Sequence, residues 1–427
     1  MIDLKRLRQD PDGSRASLLR RGDPSIGPLL DGILDLDRQR RELLVEVETL
    51  KAQRNSATEE VARRKRANEP ADELMARLKA SGEAVKALDA RLREIEAGLD
   101  QRLLALPNFP VAGVPDGDAS ANRVVRTWGA APRFEFEPKP HWELAAALGI
   151  LDLPAGAKLA GSGFPLFRGL GARLVRALSG FMLDLHTREH GYEEIAPPYV
   201  ANRASLTGTG QLPKFEEDLY GMPADDLFLI PTAEVPLTNI HRDEILEASE
   251  LPRGYCGWTP CFRREAGAHG KDTRGLIRVH QFDKVELVRF ARPEDSAAEH
   301  ARMTGHAEAV LQRLGIPYRV LELAAGDTGF ASARTFDLEV WAAGVGTWLE
   351  ASSSSSFTDF QARRANIRYR PEPKAKPEFV HTLNASGVAF PRTIIALLEH
   401  NQAADGSVRV PEALVPYLGV DRLVPRA

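Results

Sequence analysis

The most regular hydrophobic pattern of the chain lies between residues 30 and 106. Apolar side chains recur there in steps of three and four, which is the spacing of one face of an α-helix. The segment Ala67–Pro70 interrupts the pattern, because proline removes a backbone donor and ends a helix. The pattern predicts two long helices that fold back as an antiparallel coiled-coil hairpin. The two seams are Ile33, Leu36, Arg40, Leu43, Val47, Leu50, Arg54, Ala57 and Val61, then Leu78, Ser81, Val85, Leu88, Leu92, Ile95 and Leu99.

A different pattern begins after a proline- and glycine-rich linker at residues 106–117. Helical segments such as 171–190 alternate there with short strand-like runs such as 227–230 and 319–323. Neither G-x-G-x-x-G nor G-x-x-x-x-G-K-[ST] occurs, so a nucleotide-binding fold on a parallel sheet has no support. The pattern predicts an α+β fold with a mostly antiparallel sheet flanked by helices. We expect a coiled-coil arm at 1–110 and a second domain at 111–427.

Composition narrows the class of protein. Of the 427 residues, 43% are hydrophobic and 27% charged, as in ordinary globular proteins. No apolar run approaches the roughly 18 residues that a membrane span needs, and the N-terminus has no secretory apolar core. We therefore expect a cytoplasmic protein without a membrane segment. Cys256 and Cys261 are too few for a zinc site or a disulfide framework, so we expect buried free thiols and no zinc.

Positive charge is concentrated near the predicted hairpin turn. Six cations lie between Lys51 and Arg66 against only two acidic residues, and Arg63, Arg64, Lys65 and Arg66 are consecutive. One interpretation is the solvated flank of a coiled coil. The other is an arm that places cations on nucleic-acid phosphates. Arg54 and Arg40 on the seam weaken its packing, which favours a purpose beyond folding.

The run Cys261–Leu287, CFRREAGAHGKDTRGLIRVHQFDKVEL, holds six cations and four carboxylates. Its apolar register after the glycine-rich centre predicts a strand, a long loop and a second strand. Arg263 and Glu265 would share one face if that segment were extended. Such a face suits a polyanionic ligand that also carries polar groups.

Five stretches of the chain resemble the motifs of the bacterial-type seryl-tRNA synthetases, which are class II aminoacyl-tRNA synthetases. They follow one another along the chain in the order of that family. The run above is similar to the second class II motif, centred on F-R-x-E. Gly180–Pro198 resembles the first motif and Asn384–Gln402 the third. Pro231–Glu234 and Glu350–Arg364, EASSSSSFTDFQARR, resemble segments specific to the seryl enzymes. The likeness extends over nearly the whole chain.

The resemblance implies a fold and a reaction. The fold would be a six- or seven-stranded antiparallel sheet on which ATP binds bent, in a homodimer formed partly through the first motif. Serine and ATP would give seryl-adenylate and pyrophosphate, with Mg²⁺ as the metal. The seryl group would then pass to tRNA(Ser) and, by the same resemblance, tRNA(Sec). The basic residues Arg54, Arg63, Arg64, Lys65 and Arg66 would bind the tRNA.

The resemblance also assigns ATP-binding positions. Arg263 would contact the α-phosphate, Glu265 the adenine amino group, and Arg392 the γ-phosphate and one adenine face; these three are the catalytic candidates. Phe282 would stack on the other adenine face, while Glu350 and Ser353 would hold Mg²⁺. The complete ATP set is Arg263, Arg264, Glu265, Val279, Phe282, Glu350, Ala351, Ser352, Ser353 and Arg392. Without the motif, Arg263 would be a salt-bridge partner of Glu265, and the serine run a surface loop.

Serine recognition must reject alanine, which lacks a hydroxyl, and threonine, which adds a methyl group. The resemblance assigns this task to Thr232, Ala233, Glu234, Glu286, Asn384 and Ser386. Glu286 is our first candidate for the serine amino and hydroxyl groups. Its alternative role is to pair with Lys284 or Arg278. His269 is expected to be a loop residue near the tRNA acceptor end rather than a general base.

Several positions depart from the family pattern. Ser354 stands where cysteine is common and Ser356 where asparagine or aspartate is; Ala385 replaces glycine, and Thr328 replaces methionine. These departures leave open a divergent second synthetase that resists a seryl-adenylate-like inhibitor. An amino acid:carrier-protein ligase is the alternative from another class, although it would lack the basic arm.

Overall fold

The computed structural model describes residues 1–266 and 274–426. The chain forms two compact units. One consists of Ile2–Leu19 and Asp23–Pro107 and is called the arm. The other consists of Met1, Arg20–Gly22 and the chain from Asn108 onward, and is called the sheet unit.

The arm is a helical hairpin. Its helices are α1 (Leu4–Gln9), α2 (Pro11–Leu19), α3 (Ile26–Arg66) and α4 (Asp72–Ala105). Ion pairs of Arg40 with Glu96 and of Lys51 with Asp89 show that α3 and α4 run antiparallel. None of the predicted seam residues is exposed, so the predicted hairpin is confirmed. The break also falls at the predicted segment, between Arg66 and Asp72.

The sheet unit alternates helices with strands. Its helices are α5 (His141–Leu148), α6 (Leu153–Ala160), α7 (Leu170–Arg188), α8 (Arg203–Thr209), α9 (Glu234–Asn239), α10 (Ser296–Arg313), α11 (Phe360–Ala365), α12 (Phe390–His400) and α13 (Val415–Leu418). Its strands are β1 (Arg123–Trp128), β2 (Glu193–Glu194), β3 (Val200–Asn202), β4 (Gly221–Met222), β5 (Leu227–Leu229), β6 (Ile245–Glu247), β7 (Arg253–Phe262), β8 (Gln281–Ala291), β9 (Tyr318–Glu322), β10 (Arg334–Ala342), β11 (Thr347–Thr358), β12 (Arg368–Arg370), β13 (Glu378–Phe379), β14 (His381–Ala389), β15 (Val408–Arg409) and β16 (Arg422–Leu423).

One large sheet dominates this unit, with strand order β1-β9-β10-β11-β14-β8-β7-β2. All neighbouring pairs are antiparallel except β2 with β7, which confirms the mostly antiparallel sheet. The expected count of six or seven strands is wrong, because the described residues form eight. The additional strands are edges: β2 has only two residues, and all six residues of β1 are exposed. Edge strands lack the apolar alternation that makes central strands visible in a sequence.

Helices α7, α10 and α12 pack their apolar faces on this sheet and form the main core with it. Cys256 and Cys261 are buried free thiols, as predicted. None of the helices in residues 1–266 and 274–426 combines the length and the apolar character that a bilayer crossing requires.

The two predicted strands are present as β7 and β8. They pair without interruption from Arg253, which lies opposite Phe290, to Phe262, which lies opposite Gln281. Strand β7 ends before Arg263, and Glu265 adopts the left-handed conformation with φ 53°. The chain therefore turns between these two residues, and the expectation that they share one face of a strand is wrong. His269 and the rest of residues 267–273 lie outside the described residues.

Candidate active site

A cavity of about 700 Å³ lies in the sheet unit, bounded by β8, β11, β14, the start of α12 and the residues that follow β7. Residues 209–211 and 329–332 form further parts of its wall. Many of the residues predicted from sequence line this single cavity, although they come from segments far apart in the chain. They are Thr232, Glu234, Arg263, Glu265, Val279, Phe282, Glu350, Ser353, Asn384, Ser386 and Arg392.

The remaining predicted residues lie elsewhere. Ala233, Ala351 and Ser352 are buried, and the Ser352 hydroxyl donates to the Ser386 carbonyl at 2.6 Å. Glu286 is fully buried, and its carboxylate contacts the cavity-lining residues Thr232 and Asn384. Arg264 is exposed and lines a neighbouring pocket instead. The buried positions support the cavity rather than line it.

Arg263 is placed by the end of β7. Its backbone N–H donates to the His280 carbonyl at 2.9 Å, which extends the β7–β8 ladder by one residue. Its Nε donates to the Pro231 carbonyl at 3.3 Å, and its guanidinium lies 5.2 Å from the centroid of the Phe282 ring. The guanidinium group is thus held at the cavity wall and keeps N–H donors free for an anionic ligand.

Glu265 does not pair with Arg263. Its carboxylate binds the guanidinium of Arg278, which also lines the cavity. The alternative in which Arg263 serves only as the salt-bridge partner of Glu265 is therefore wrong. A carboxylate paired with one arginine retains acceptor positions for a further donor.

Arg392 lies in the first turn of α12, which begins at Phe390. Its Nη1 donates to the Glu350 carbonyl at 2.7 Å and lies 3.4 Å from Glu350 Oε2. Arg392 therefore links the third motif to β11. The N-terminal end of a helix adds a partial positive charge at the same place.

A β-bulge explains how Glu350 and Ser353 come together. Three residues apart in a regular strand, they would point to opposite faces of the sheet. The register between β10 and β11 shifts at this point, so that Asp337 opposes Ser353 while Glu339 opposes Glu350. Because Asp337 and Glu339 share one face of β10, Glu350 and Ser353 share that face of β11. The bulge thus places a carboxylate and a hydroxyl side by side.

Asp337 adds a half-buried acidic group on this face. Its Oδ1 is buried without a hydrogen-bond partner, and burial, followed by the nearby Glu350, raises the pKa of Asp337 well above its usual range. Carboxylate and hydroxyl oxygens are ligands that Mg²⁺ prefers, usually together with phosphates and water. The donor set therefore fits that ion. Within the described part of the chain, no three His, Cys, Asp or Glu side chains are grouped to hold a metal alone.

The other end of the cavity holds a buried polar network. Thr232 Oγ1 donates to Glu286 Oε2 at 2.8 Å and accepts from Lys284 Nζ at 3.0 Å. Asn384 Nδ2 lies 3.1 Å from both Glu234 Oε2 and Glu286 Oε1. Glu286 therefore contacts the predicted site residues Thr232 and Asn384. It also forms an ion pair with Lys284, which was its alternative partner.

The charges in this network do not balance. Glu234 and Glu286 are two buried carboxylates, and Lys284 is the cation paired with one of them. Gln361 Nε2 donates to Glu234 Oε1 at 2.6 Å, but an amide carries no charge. Burial and the charge of Glu286 raise the pKa of Glu234 to about 7. The network thus favours one additional cation, such as an ammonium group.

Sequence reasoning missed three residues that hold the charged groups of the site. Lys284 was considered only as an alternative partner of Glu286, although alternation along β8 places both on one face. Arg278 is the other alternative partner of Glu286, and it pairs with Glu265 instead. Gln361 is not a predicted site residue, and its side chain donates to Glu234. Gln361 lies in the quoted stretch at 350–364, but nothing local in that sequence indicates its partner.

Three of the four positions that depart from the family pattern lie in strands behind the cavity, whereas Thr328 lies in the loop between β9 and β10. Ser354 and Ser356 are buried in β11, and Ala385 is buried beside them in β14. The Ser354 hydroxyl lies 2.9 Å from Thr304 Oγ1, and its carbonyl lies 3.0 Å from His300 Nε2. A small hydroxyl is thus satisfied at this position by α10.

The predicted basic cluster of the arm lies in the last turn of α3. Glu60 pairs with both Arg63 and Arg64, and Glu69 lies 3.6 Å from Arg63. Lys65 and Arg66 are exposed, whereas Arg54 on the seam is half-buried. Exposed ion pairs contribute little free energy, so these arginines can exchange carboxylates for other anions.

Comparison with known proteins decides the family. Residues 1–110 match the domain family described as seryl-tRNA synthetase N-terminal domain, and residues 215–401 match the tRNA synthetase class II core domain (G, H, P, S and T). The chain is 58% identical to the serine--tRNA ligase of Gemmatimonas aurantiaca over 98% of this chain and 99% of that protein. It is 61% identical to that of Moorella thermoacetica over 98% of each.

The chain belongs to the seryl-tRNA synthetase family. Among solved structures, seryl-tRNA synthetase from Pyrococcus horikoshii complexed with ATP covers 100% of both chains at 38% identity, with a TM-score of 0.96. Cytoplasmic serine-tRNA ligase from Naegleria fowleri in complex with AMP aligns over 100% of this chain and 99% of that one, at 29% identity and a TM-score of 0.89. The protein is thus a ligase of the aminoacyl-tRNA synthetase class. Neither the carrier-protein ligase nor a divergent resistant synthetase is favoured.

Proposed function

We propose that this seryl-tRNA synthetase performs serine activation in the cavity of the sheet unit, with the phosphates of ATP at the arginine end and serine at the carboxylate end. The observation that carries the proposal is the joining of two opposite charge environments in one cavity. The serine carboxylate would attack the α-phosphate of ATP. A new oxygen–phosphorus bond forms as the bond to pyrophosphate breaks, giving seryl-adenylate.

Arg263 is the group that we assign to the α-phosphate. Attack of one anion on another builds negative charge on the phosphorus oxygens, so fixed cations stabilise the transition state more than a base would. The carboxylate nucleophile is already ionised near neutral pH and needs no proton removed. Arg392 would act on the leaving phosphates, and Glu265 on the adenine amino group, supported by Arg278.

Glu286, Glu234 and Asn384 are assigned to serine. The serine ammonium would supply the cation that the two buried carboxylates lack, with Lys284 already paired to Glu286. The hydroxyl would hydrogen-bond within the same network, near Thr232 or Ser386. Alanine would leave a buried polar group unpaired, which accounts for discrimination by about 10⁴.

Mg²⁺ fits the bulge of β11. Glu350 and Ser353 would hold it, and the buried oxygen of Asp337 makes a positive charge favourable on that face. When bound, the ion neutralises phosphate charge and helps to orient the triphosphate. Glu350 also accepts from Arg392, so the same residue connects the metal position to the third motif.

The seryl group would then pass to tRNA(Ser) and, we further propose, to tRNA(Sec). The basic cluster at the end of α3 supports binding of phosphates by the arm.

We also propose a cytoplasmic homodimer. The exposed edge strand β2, within the first-motif segment, supports a dimer because an unpaired edge invites a partner strand.

Pyrophosphate exchange with each of the twenty amino acids, followed by tRNA charging, tests the function. We expect ATP–pyrophosphate exchange with serine alone and incorporation of labelled serine into tRNA. Serine-dependent exchange without tRNA charging would instead indicate a ligase for another acceptor. Exchange with a different amino acid would overturn the proposal.

A further inference from the structure

One wall of the cavity is held by two residues that do not line it. The wall is the segment 328–332, of which residues 329–332 line the cavity. The two residues are Arg21 and Asn108, which are only 8% and 3% exposed. Arg21 lies between α2 and α3, and Asn108 follows the end of α4 by three residues. Both belong to the sheet unit.

Arg21 spreads its guanidinium over three carbonyls of the wall. Its Nη1 donates to Thr328 at 2.8 Å and to Gly329 at 3.1 Å, and its Nη2 donates to Ser332. Nε and Nη2 also donate to the Asn108 carbonyl, at 3.0 and 2.7 Å. This planar five-donor arrangement is one that lysine does not provide.

Asn108 holds the carbonyls between those that Arg21 binds. Its backbone N–H donates to the Phe330 carbonyl at 3.0 Å, and its Nδ2 donates to the Ala331 carbonyl at 2.9 Å. Every carbonyl from 328 to 332 is therefore bound by Arg21 or Asn108. A loop whose backbone is fixed in this way has little freedom to change the width of the cavity.

The wall contacts the segment that leads to the serine end. A methyl group built on Gly210 would lie 3.1 Å from Ala331 Cβ, so these two residues are in close contact. Gly210 follows Thr209, whose carbonyl accepts from Gln361 Nε2 at 3.2 Å. The same Nε2 donates to Glu234 at 2.6 Å.

Aromatic packing gives a second connection from the wall to Gln361. The ring of Phe330 packs edge-on against that of Phe360, with centroids 5.8 Å apart. Phe360 directly precedes Gln361 in α11. The position of Glu234 thus depends on the wall by two routes, whereas Arg263 and Arg392 are placed by β7 and α12.

We propose that Arg21 is a positioning residue for serine recognition, which acts by fixing the wall at 328–332 against Gly210 and Phe360. The inference rests on the proposed function of the cavity. A displaced wall allows Gln361 and Glu234 to move, so the amino acid binds less tightly. ATP binding, built on other elements, is unaffected.

Steady-state pyrophosphate exchange by Arg21→Lys tests the inference. The lysine keeps the positive charge but lacks the planar set of N–H donors that binds several carbonyls at once. We expect the KM for serine to rise about tenfold or more, because small displacements of binding groups have large effects, while the KM for ATP is unchanged. Arg20→Lys is the matched control, since Arg20 donates to the Val114 carbonyl and pairs with Asp116 instead.

Thermal unfolding of each variant separates positioning from folding. A lower melting temperature with both KM values unchanged would overturn the inference, as would equal rises in both. If Arg21→Lys is unfolded at the assay temperature, Asn108→Ala carries the same prediction, because it removes the side-chain bonds to the Ala331 and Phe357 carbonyls and keeps its own carbonyl for Arg21. Absence of serine-dependent exchange in the unchanged protein would instead refute the proposed function.

Discussion

At the residue scale, the cavity contains two ends of opposite charge. Arg263 and Arg392 present guanidinium groups at one end, and Glu234 and Glu286 present buried carboxylates at the other. An adenylate-forming reaction needs this arrangement because it unites an amino acid, which carries an ammonium group, with a polyphosphate. Each end can therefore be changed separately.

Arg263→Ala should nearly abolish pyrophosphate exchange. Loss of a fixed cation at the α-phosphate removes roughly 3 kcal/mol or more of transition-state stabilisation, which is about 10²-fold or more in rate. Arg264→Ala is the matched control, because Arg264 is the next residue but lines another pocket. Near-normal exchange in Arg263→Ala would contradict the assigned role.

Glu286→Gln should raise the KM for serine and leave that for ATP nearly unchanged. A hydrogen bond to a charged group is worth about 1.5–3 kcal/mol, which corresponds to roughly 10- to 150-fold in binding. The reciprocal variant, Glu265→Gln, should raise the KM for ATP alone. Parallel losses for both substrates in either variant would argue against two separate ends.

Serine use should depend on pH through Glu234. Its pKa of about 7 results first from burial and then from the charge of Glu286, while Gln361, Lys284 and Arg263 act in the opposite direction. Below this pH the carboxyl is neutral and attracts the ammonium less, so kcat/KM for serine should fall about tenfold per pH unit. Glu234→Gln should be less active and should lack this acidic limb. An unchanged limb in that variant would assign it to another group.

At the element scale, a feature could be predicted from the sequence when the residues that determine it lie within one element. The hairpin of α3 and α4 could be predicted because its repeat is contained within each helix. The bulge in β11 could not, since the shift depends on pairing with β10. Lys284 was identifiable only as a neighbour of Glu286, because its contact with Thr232 joins segments 52 residues apart. The resemblance supplied site residues that spacing alone left open.

Reversing the charge of the basic cluster should weaken tRNA binding without unfolding the arm. The change is Arg63, Arg64, Lys65 and Arg66 to glutamate. Each lost phosphate contact lowers the slope of log K against log salt by about one unit. The seam is untouched, so helicity measured by circular dichroism should persist. An unaltered salt slope would contradict a tRNA-binding role for this cluster.

At the scale of the whole molecule, the residues assigned to activation all belong to the sheet unit, and the basic cluster belongs to the arm. The chain leaves the sheet unit after Gly22 and returns at Asn108, and the guanidinium of Arg21 binds the Asn108 carbonyl. The two ends are therefore close enough for a short linker to replace residues 23–107, which are most of the arm. We therefore expect chemistry and tRNA binding to be separable in this protein.

The most direct test is serine-dependent pyrophosphate exchange by a protein in which residues 23–107 are replaced by a short glycine-serine linker. The intact protein and the same replacement carrying Arg263→Ala are measured beside it. Exchange should stay near that of the intact protein and should be lost with Arg263→Ala, while charging of tRNA falls sharply. Loss of exchange in a replacement that melts cooperatively, or full tRNA charging without residues 23–107, would contradict the account.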